Sequence, residues 1–250
     1  MKTILFTLAA GALLAQTPDF SGVYRPINAF GPSPGGAGQA KAKEKQKGPP
    51  PRPTRSAPLS DGSLGRPEGA PQLTPEYMAK WEVIRKSRMS GSYEYDASAR
   101  CLSPGMPSIM GMAYGMEVMQ NKDKITFFSE LNDALRRVYL DGRKPSQKVL
   151  DDPTYSGYST GHWEADTLVV DTVSIRPDTL FDSFSPHSDS MTVKEWIRFR
   201  SPGVLEDKLI VSDPKALVKP YESMKAYRKA RAGDDELREF SCPEGLSEAK

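Results

Sequence analysis

The chain reads as a mainly β protein, an antiparallel barrel or sandwich with one packing helix near residues 75–89. Three observations predict this. From Glu117 onward apolar residues recur at every second position, the period of a half-buried strand. Turn signals such as Asp141-Gly142 and Ser201-Pro202-Gly203 separate those stretches. No internal repeat and no alternation of strand with long helix competes with them.

Taken in order, the first element is a leader. Lys2 is followed by an apolar run from Ile4 to Ala15, interrupted at Thr7 and ending on a small residue, the pattern of a signal peptide over residues 1–15. The run is too short to span a bilayer, which needs about 20 apolar residues, so no transmembrane segment is expected and the destination is periplasmic or secreted. Residues 16–30 contain a short strand around Asp19–Ile27. From 31 to 73 the composition changes: nine of 22 prolines and eight of 20 glycines fall here. That leaves too little apolar surface to offset ordering entropy, so this stretch reads as a disordered linker or loop. Its cations, Lys41, Lys43, Lys45, Lys47, Arg52 and Arg55, mark either a solvated segment or an arm for an anionic surface.

Residues 74–250 form the single β-rich domain. Thr74 can cap a helix, Pro75 suits its first turn, and Tyr77, Trp81, Ile84 and Arg88 make one stripe that Ser90-Gly91 ends. The strands follow: Lys124–Glu130, Leu135–Leu140, the β-branched run within Trp163–Val173, Met191–Arg200, Lys208–Ser212 and a weaker one over Tyr221–Arg228. In Met191–Arg200 the alternating set is Met191, Val193, Glu195, Ile197 and Phe199.

Composition excludes some partners. A formal charge of +2 with 26% charged residues is not that of a nucleic-acid binder. Two cysteines in an exported chain predict one disulfide, Cys101 to Cys242, with two separate buried thiols as the alternative.

The chemical leads centre on the only two histidines, each followed two residues later by an acid: His162 with Glu164, and His187 with Asp189. On a strand, such residues share a face. His187 could move a proton near neutral pH with Asp189 orienting it, and Glu130 and Arg137 could complete a polar cluster inside the barrel. His162, Glu164 and His187 also match the residue types of a two-histidine, one-carboxylate metal site; Asp178, Asp182 and Asp189 offer oxygen ligands for calcium without a recognised loop spacing. The ordinary reading of both histidines, as hydrogen-bonding residues of the scaffold, stands beside these. No serine-nucleophile or phosphate-loop motif is found, and no cofactor is implied. Met106, Met110, Met112, Met116 and Met119 fall within 14 residues. They form either adaptable core filler or a pliable wall over a hydrophobic ligand.

One stretch resembles a known group. Gly161-His162-Trp163-Glu164-Ala165-Asp166-Thr167-Leu168-Val169-Val170-Asp171-Thr172 is similar to a Gly-His/Arg-Trp-Glu-Gly-Asp-Thr-Leu-Val-Val-Asp-Thr signature of uncharacterised exported bacterial proteins. Pro18–Tyr24, Leu140–Arg143, Pro186–Asp189 and Phe240–Glu244 match as well. The resemblance implies export and a barrel-like, calycin-like domain, with no activity attached. It also implies that arginine can occupy the position of His162, which puts His187 ahead as a site residue, and that the turn at Ala165, where the signature has glycine, is altered. The function expected is binding of a small, largely apolar molecule. The alternatives are a hydrolase, lyase or isomerase using the histidine–carboxylate site, and a metal-dependent enzyme or structural interaction protein.

Overall fold

The computed structural model describes residues 17–27, 66, 69–182, 184–231, 233, 236–240 and 242. The leader expected over 1–15 and the cationic segment Lys41–Arg55 expected as linker or arm lie outside them. Nine strands close into a barrel: β1 (Gly22–Pro26), β2 (Met116–Gln120), β3 (Lys124–Ser129), β4 (Ala134–Tyr139), β5 (Tyr158–Glu164), β6 (Thr167–Val173), β7 (Thr192–Ser201), β8 (Val204–Ser212) and β9 (Tyr221–Lys229). Strand order around the barrel follows chain order, and β1 pairs with both β2 and β9 to complete it. The N-terminal strand is therefore part of the barrel wall, although more than 40 residues of different composition separate it from the rest.

A closed ring with an odd number of strands cannot alternate direction throughout. The mismatch falls between β4 and β5, which pair in parallel, while every other pairing is antiparallel. A parallel pair needs a crossover instead of a tight turn, and the segment containing the short helix α2 (Gln147–Leu150) supplies it.

Side-chain alternation gives the barrel a defined inside. Ile125 and Phe127 of β3, Leu168 and Val170 of β6, Val193 and Ile197 of β7, and Leu205, Leu209 and Val211 of β8 are all buried there. At one end, Phe20 packs on Trp163 and Phe199, with ring centroids 5.2 and 5.1 Å apart. The main helix, α1 (Pro75–Met89), buries Tyr77, Trp81 and Ile84, the stripe its spacing predicts. Thr74 occupies the N-cap position but does not cap: its Oγ1 donates to the Lys215 carbonyl at 2.9 Å. That bond ties the helix start to the β8–β9 connection, where Leu73 also bridges Leu217.

Cys101 and Cys242 are joined in a disulfide, with Cα atoms 5.9 Å apart and a sequence separation of 141. It fastens the C-terminal tail to the loop before the barrel's second strand.

Candidate functional site

Six consecutive strands each place a polar side chain on the inner face at similar depth: Arg136 (β4), Ser159 (β5), Thr172 (β6), Glu195 (β7), Asp207 (β8) and Lys225 (β9). Arg136 is at the centre. Its Nη1 donates to Glu195 Oε1 at 2.8 Å, its Nη2 donates to Glu195 Oε2 and to Thr172 Oγ1, and its Nε donates to Ser159 Oγ at 3.3 Å. Ser159 and Thr172 are themselves 2.8 Å apart. Arg136 and Glu195 are 2% and 0% exposed, so this fork-to-carboxylate geometry replaces the water both groups give up on burial. The guanidinium also sits over the Phe127 ring at 5.5 Å.

Asp207 behaves differently. It is fully buried, and neither carboxylate oxygen meets a donor among the described residues. Register places Asp207 opposite Ile197 and Leu209 opposite Glu195, so the two acids are diagonal neighbours on one face of the β7–β8 pair. Burial and the adjacent Glu195 charge push the Asp207 carboxyl well above the usual carboxylate range, outweighing Arg136 and Lys225. A buried carboxylate with no donor is untenable, whereas a protonated acid can donate to Glu195. Asp207 is accordingly the neutral member of the pair.

Above this belt lies a cavity of about 1060 Å³ at the end of the barrel opposite the Phe20 cluster. Met110, Met112, Leu180, Phe181, Leu209 and Tyr227 contribute apolar wall. Two of these come from the methionine-rich segment, which Tyr227 holds in place by donating its hydroxyl to the Met110 carbonyl. Burial raises the Tyr227 pKa far above its ordinary value, so this hydroxyl keeps its proton. The side chain of Lys225 reaches the cavity next to Gly111, where an added Cβ would stand 3.1 Å from Nζ. Burial lowers the Lys225 pKa, and the attraction of Asp207 and Asp182 does not fully restore it.

The residues singled out from sequence do not converge on this cavity. His162 and Glu164 do touch, Nε2 to Oε1 at 3.1 Å, but on the outer face with both side chains about 60% exposed, because Ser159, Gly161 and Trp163 take the inward positions. His187 is buried at 3% exposure and is not on a named strand; Pro186 makes only an isolated bridge to Leu180. The chain turns at Asp189, which leaves the histidine and forms an exposed ion pair with Lys215 at 2.6 Å. The expected His187–Asp189 pair is thus replaced by other partners. Nδ1 of His187 lies 2.9 Å from the Ser188 carbonyl and Nε2 lies 2.9 Å from Thr179 Oγ1. A carbonyl only accepts, so Nδ1 carries the proton. Burial depresses the His187 pKa despite the Ser188 carbonyl and the charges of Asp213 and Asp178. On the neutral ring Nε2 is an acceptor, and it shares the single Thr179 hydroxyl proton with the Arg176 carbonyl, 2.9 Å from the same Oγ1.

Glu130 and Arg137 need a similar correction. Arg137 is exposed on the outer face of β4, and its neighbour Arg136 is the inward one, in phase with Ala134 and Val138. Glu130 follows β3 and accepts from Arg25 Nη1 at 2.6 Å, the Arg238 amide at 2.7 Å and the Gly115 amide at 2.9 Å. Burial alone would raise its pKa; those amides and the Arg25 guanidinium outweigh burial and hold it low. It ties three distant segments together and does not enter the belt.

No described group of three histidine, cysteine or acidic residues is placed to hold a metal. His162 and Glu164 face solvent outside the barrel while His187 is enclosed elsewhere. Asp178 is paired with Arg176, Asp182 accepts from the Phe184 and Ser185 amides, and Asp189 pairs with Lys215, so the proposed calcium ligands are each engaged separately. The belt residues escaped the sequence reading, though a signal was present. Glu195 sits within the apolar phase Met191-Val193-Glu195-Ile197-Phe199, and Asp207 sits within Leu205-Asp207-Leu209-Val211. A charge in the buried phase of a strand requires a partner.

No protein-family profile matches this chain, and no curated protein sequence matches it. Among solved structures it is similar to the crystal structure of Treponema pallidum pallilysin, at 11% identity and a TM-score of 0.24, over 65% of this chain and 100% of that one.

Proposed function

We propose that this protein binds a small, largely apolar molecule in the cavity at the open end of the barrel. One observation carries this reading: a space of about 1060 Å³ walled by Met110, Met112, Leu180, Phe181, Leu209 and Tyr227. Ligand pockets are typically about 300–1,000 Å³, mostly apolar and furnished with a few polar groups that orient the ligand. The methionines favour it further, since unbranched thioether side chains adapt to the shape of what they cover. The acid–base alternative built on His187 has less support, because both ring nitrogens are already engaged and the ring does not line the cavity. The reading includes export to the periplasm or beyond, supported by the leader-like residues 1–15 and by the disulfide, which persists in oxidising compartments. Kinship with the exported group that shares the Gly161–Thr172 signature is part of the same proposal.

The test uses N-phenyl-1-naphthylamine, a neutral apolar dye that brightens when it leaves water. The purified protein should bind it with one saturable site, and Ser223→Phe, which fills the cavity from β9, should remove that site without lowering the melting temperature. Binding that survives this change, or no saturable binding by the wild type, would overturn the reading.

A further inference from the structure

We propose that the ligand is an amphiphilic monocarboxylate, its headgroup paired with Lys225 and its hydrocarbon lying along the methionine-lined wall. This deepens the cavity reading above and rests on it. The argument begins with a missing counter-ion. Lys225 lies directly across from Asp207 in the β8–β9 register, where a lysine and an acid would ordinarily pair. Asp207 instead shares the inner face with Glu195, and none of its oxygens receives a donor. With a proton held between the two acids, Asp207 forms no ion pair with Lys225 and attracts it only weakly.

The other cations at the cavity are answered. Arg88 pairs with Asp96 at 2.9 Å and Arg176 with Asp178 at 2.5 Å; Arg100, exposed, donates to the Glu94 carbonyl at 3.0 Å. Lys225 has no ion-pair or hydrogen-bond partner among the described residues, yet it is half-buried. Across the belt, Arg136 and Glu195 cancel and Asp207 keeps its proton, so Lys225 has no ion pair within the belt; Asp182 on the cavity wall attracts it without forming one, its carboxylate being taken up by the Phe184 and Ser185 amides. Gly111 leaves the approach to Nζ open, because any larger residue there would crowd the ammonium.

An ammonium with no bonded partner, set beside the apolar wall of Met110, Met112 and Phe181, is complementary to a single negative charge on an apolar body. Phosphate-bearing lipids fit less well: their headgroups are met by several donors, such as arginine forks or clustered amides, and the arginines on this wall are already bonded to Asp96, Asp178 and the Glu94 carbonyl. A neutral ligand would leave the ammonium desolvated and uncompensated.

The experiment compares dodecanoic acid with 1-dodecanol as competitors for N-phenyl-1-naphthylamine on the full chain. The wild type should prefer the acid by about ten-fold or more, the effect of one charge-assisted hydrogen bond. Lys225→Gln and Lys225→Met should bind the dye and the alcohol as before and lose the preference for the acid. Equal affinities for acid and alcohol in the wild type, or a preference that persists in both variants, would overturn the proposal while leaving the cavity reading intact. Failure of dye, alcohol and acid alike would instead sink the cavity reading and this proposal with it. Should both variants fold poorly, carboxyl-¹³C dodecanoate bound to the wild type decides. A bound carboxylate that stays ionised at lower pH than the free acid supports the pairing; one that titrates like or above the free acid refutes it.

Discussion

Arg136 and Glu195, from strands that are not neighbours, meet across the barrel interior through two parallel hydrogen bonds, with almost no exposure of either side chain. The pair joins β4 to β7 through the space the barrel encloses, and Ser159 and Thr172 of the two strands between them complete the guanidinium's contacts. Removing one partner leaves the other charge buried and unpaired. Glu195→Ala should therefore cost about 3–5 kcal/mol, while Arg136→Met combined with Glu195→Met should recover most of that loss. Urea denaturation of the three proteins measures this. A double variant no more stable than Glu195→Ala would show that the pair does more than satisfy its own charges.

The neutral state of Asp207 has a consequence for pH. Its folded pKa lies above the unfolded value of 3.8, for the burial and Glu195 charge already described, with Arg136 and Lys225 facing it from the other side. Above 3.8 the unfolded chain releases this proton and the folded barrel retains it, so the contribution of Asp207 to stability falls as pH rises toward its folded pKa. Asp207→Asn keeps a donor for Glu195 and carries no titration. The variant should gain on the wild type progressively as pH is raised above about 4. Chemical denaturation at several pH values tests the sign, and a gap that narrows with pH would contradict the assignment.

His187 works in the opposite direction along the pH axis. Its folded pKa is depressed below 6.5 by burial. Its contribution is fully present above 6.5, and is lost as pH falls from there through the folded pKa, because the unfolded ring then accepts a proton that the folded one refuses. His187→Ala should cost about 1–3 kcal/mol near neutral pH by removing a buried ring and its hydrogen bonds to the Ser188 carbonyl and the Thr179 hydroxyl. It should also reduce the loss of stability seen between about pH 6.5 and the acid limb. Dye binding by the folded variant should be unchanged. A selective loss of binding with unaltered stability would return His187 to the site.

Ala165 takes a left-handed backbone, φ 53°, at the first position of the β5–β6 turn. This is where two-residue hairpin turns favour glycine. The left-handed conformation costs an L-residue about 1–2 kcal/mol, and glycine's extra unfolded-state freedom costs about 0.5–1 kcal/mol. The first effect is larger, so Ala165→Gly should stabilise the protein by about 0.5–1 kcal/mol. Thermal unfolding checks it; a lower melting temperature would mean that the methyl group packs favourably in the turn.

What the sequence determined by itself was everything that depends on short range. Period two along Met191–Phe199 makes β7, the Tyr77–Trp81–Ile84 stripe makes α1, and two cysteines in a chain with a leader-like start make one disulfide. Tertiary structure decided what depends on phase and on distant partners. Arg136 and Arg137 are equally strand-like in sequence, and only packing of Ala134 and Val138 against the core selects the first as inward. The connection from β3 cannot carry the phase forward, because Asn132 and Asp133 turn through left-handed backbone at φ 53° and 48°. The same-face rule held for His162 and Glu164, which are on a strand, and failed for His187 and Asp189, where the chain turns. Closure into a barrel joins β1 to β9 across nearly the whole chain, and the belt charges are assigned only once β4, β7, β8 and β9 share one interior. A side chain's charge state there follows from its neighbours across space: Glu195 draws a guanidinium, Asp207 keeps a proton, and Lys225 is left facing the cavity.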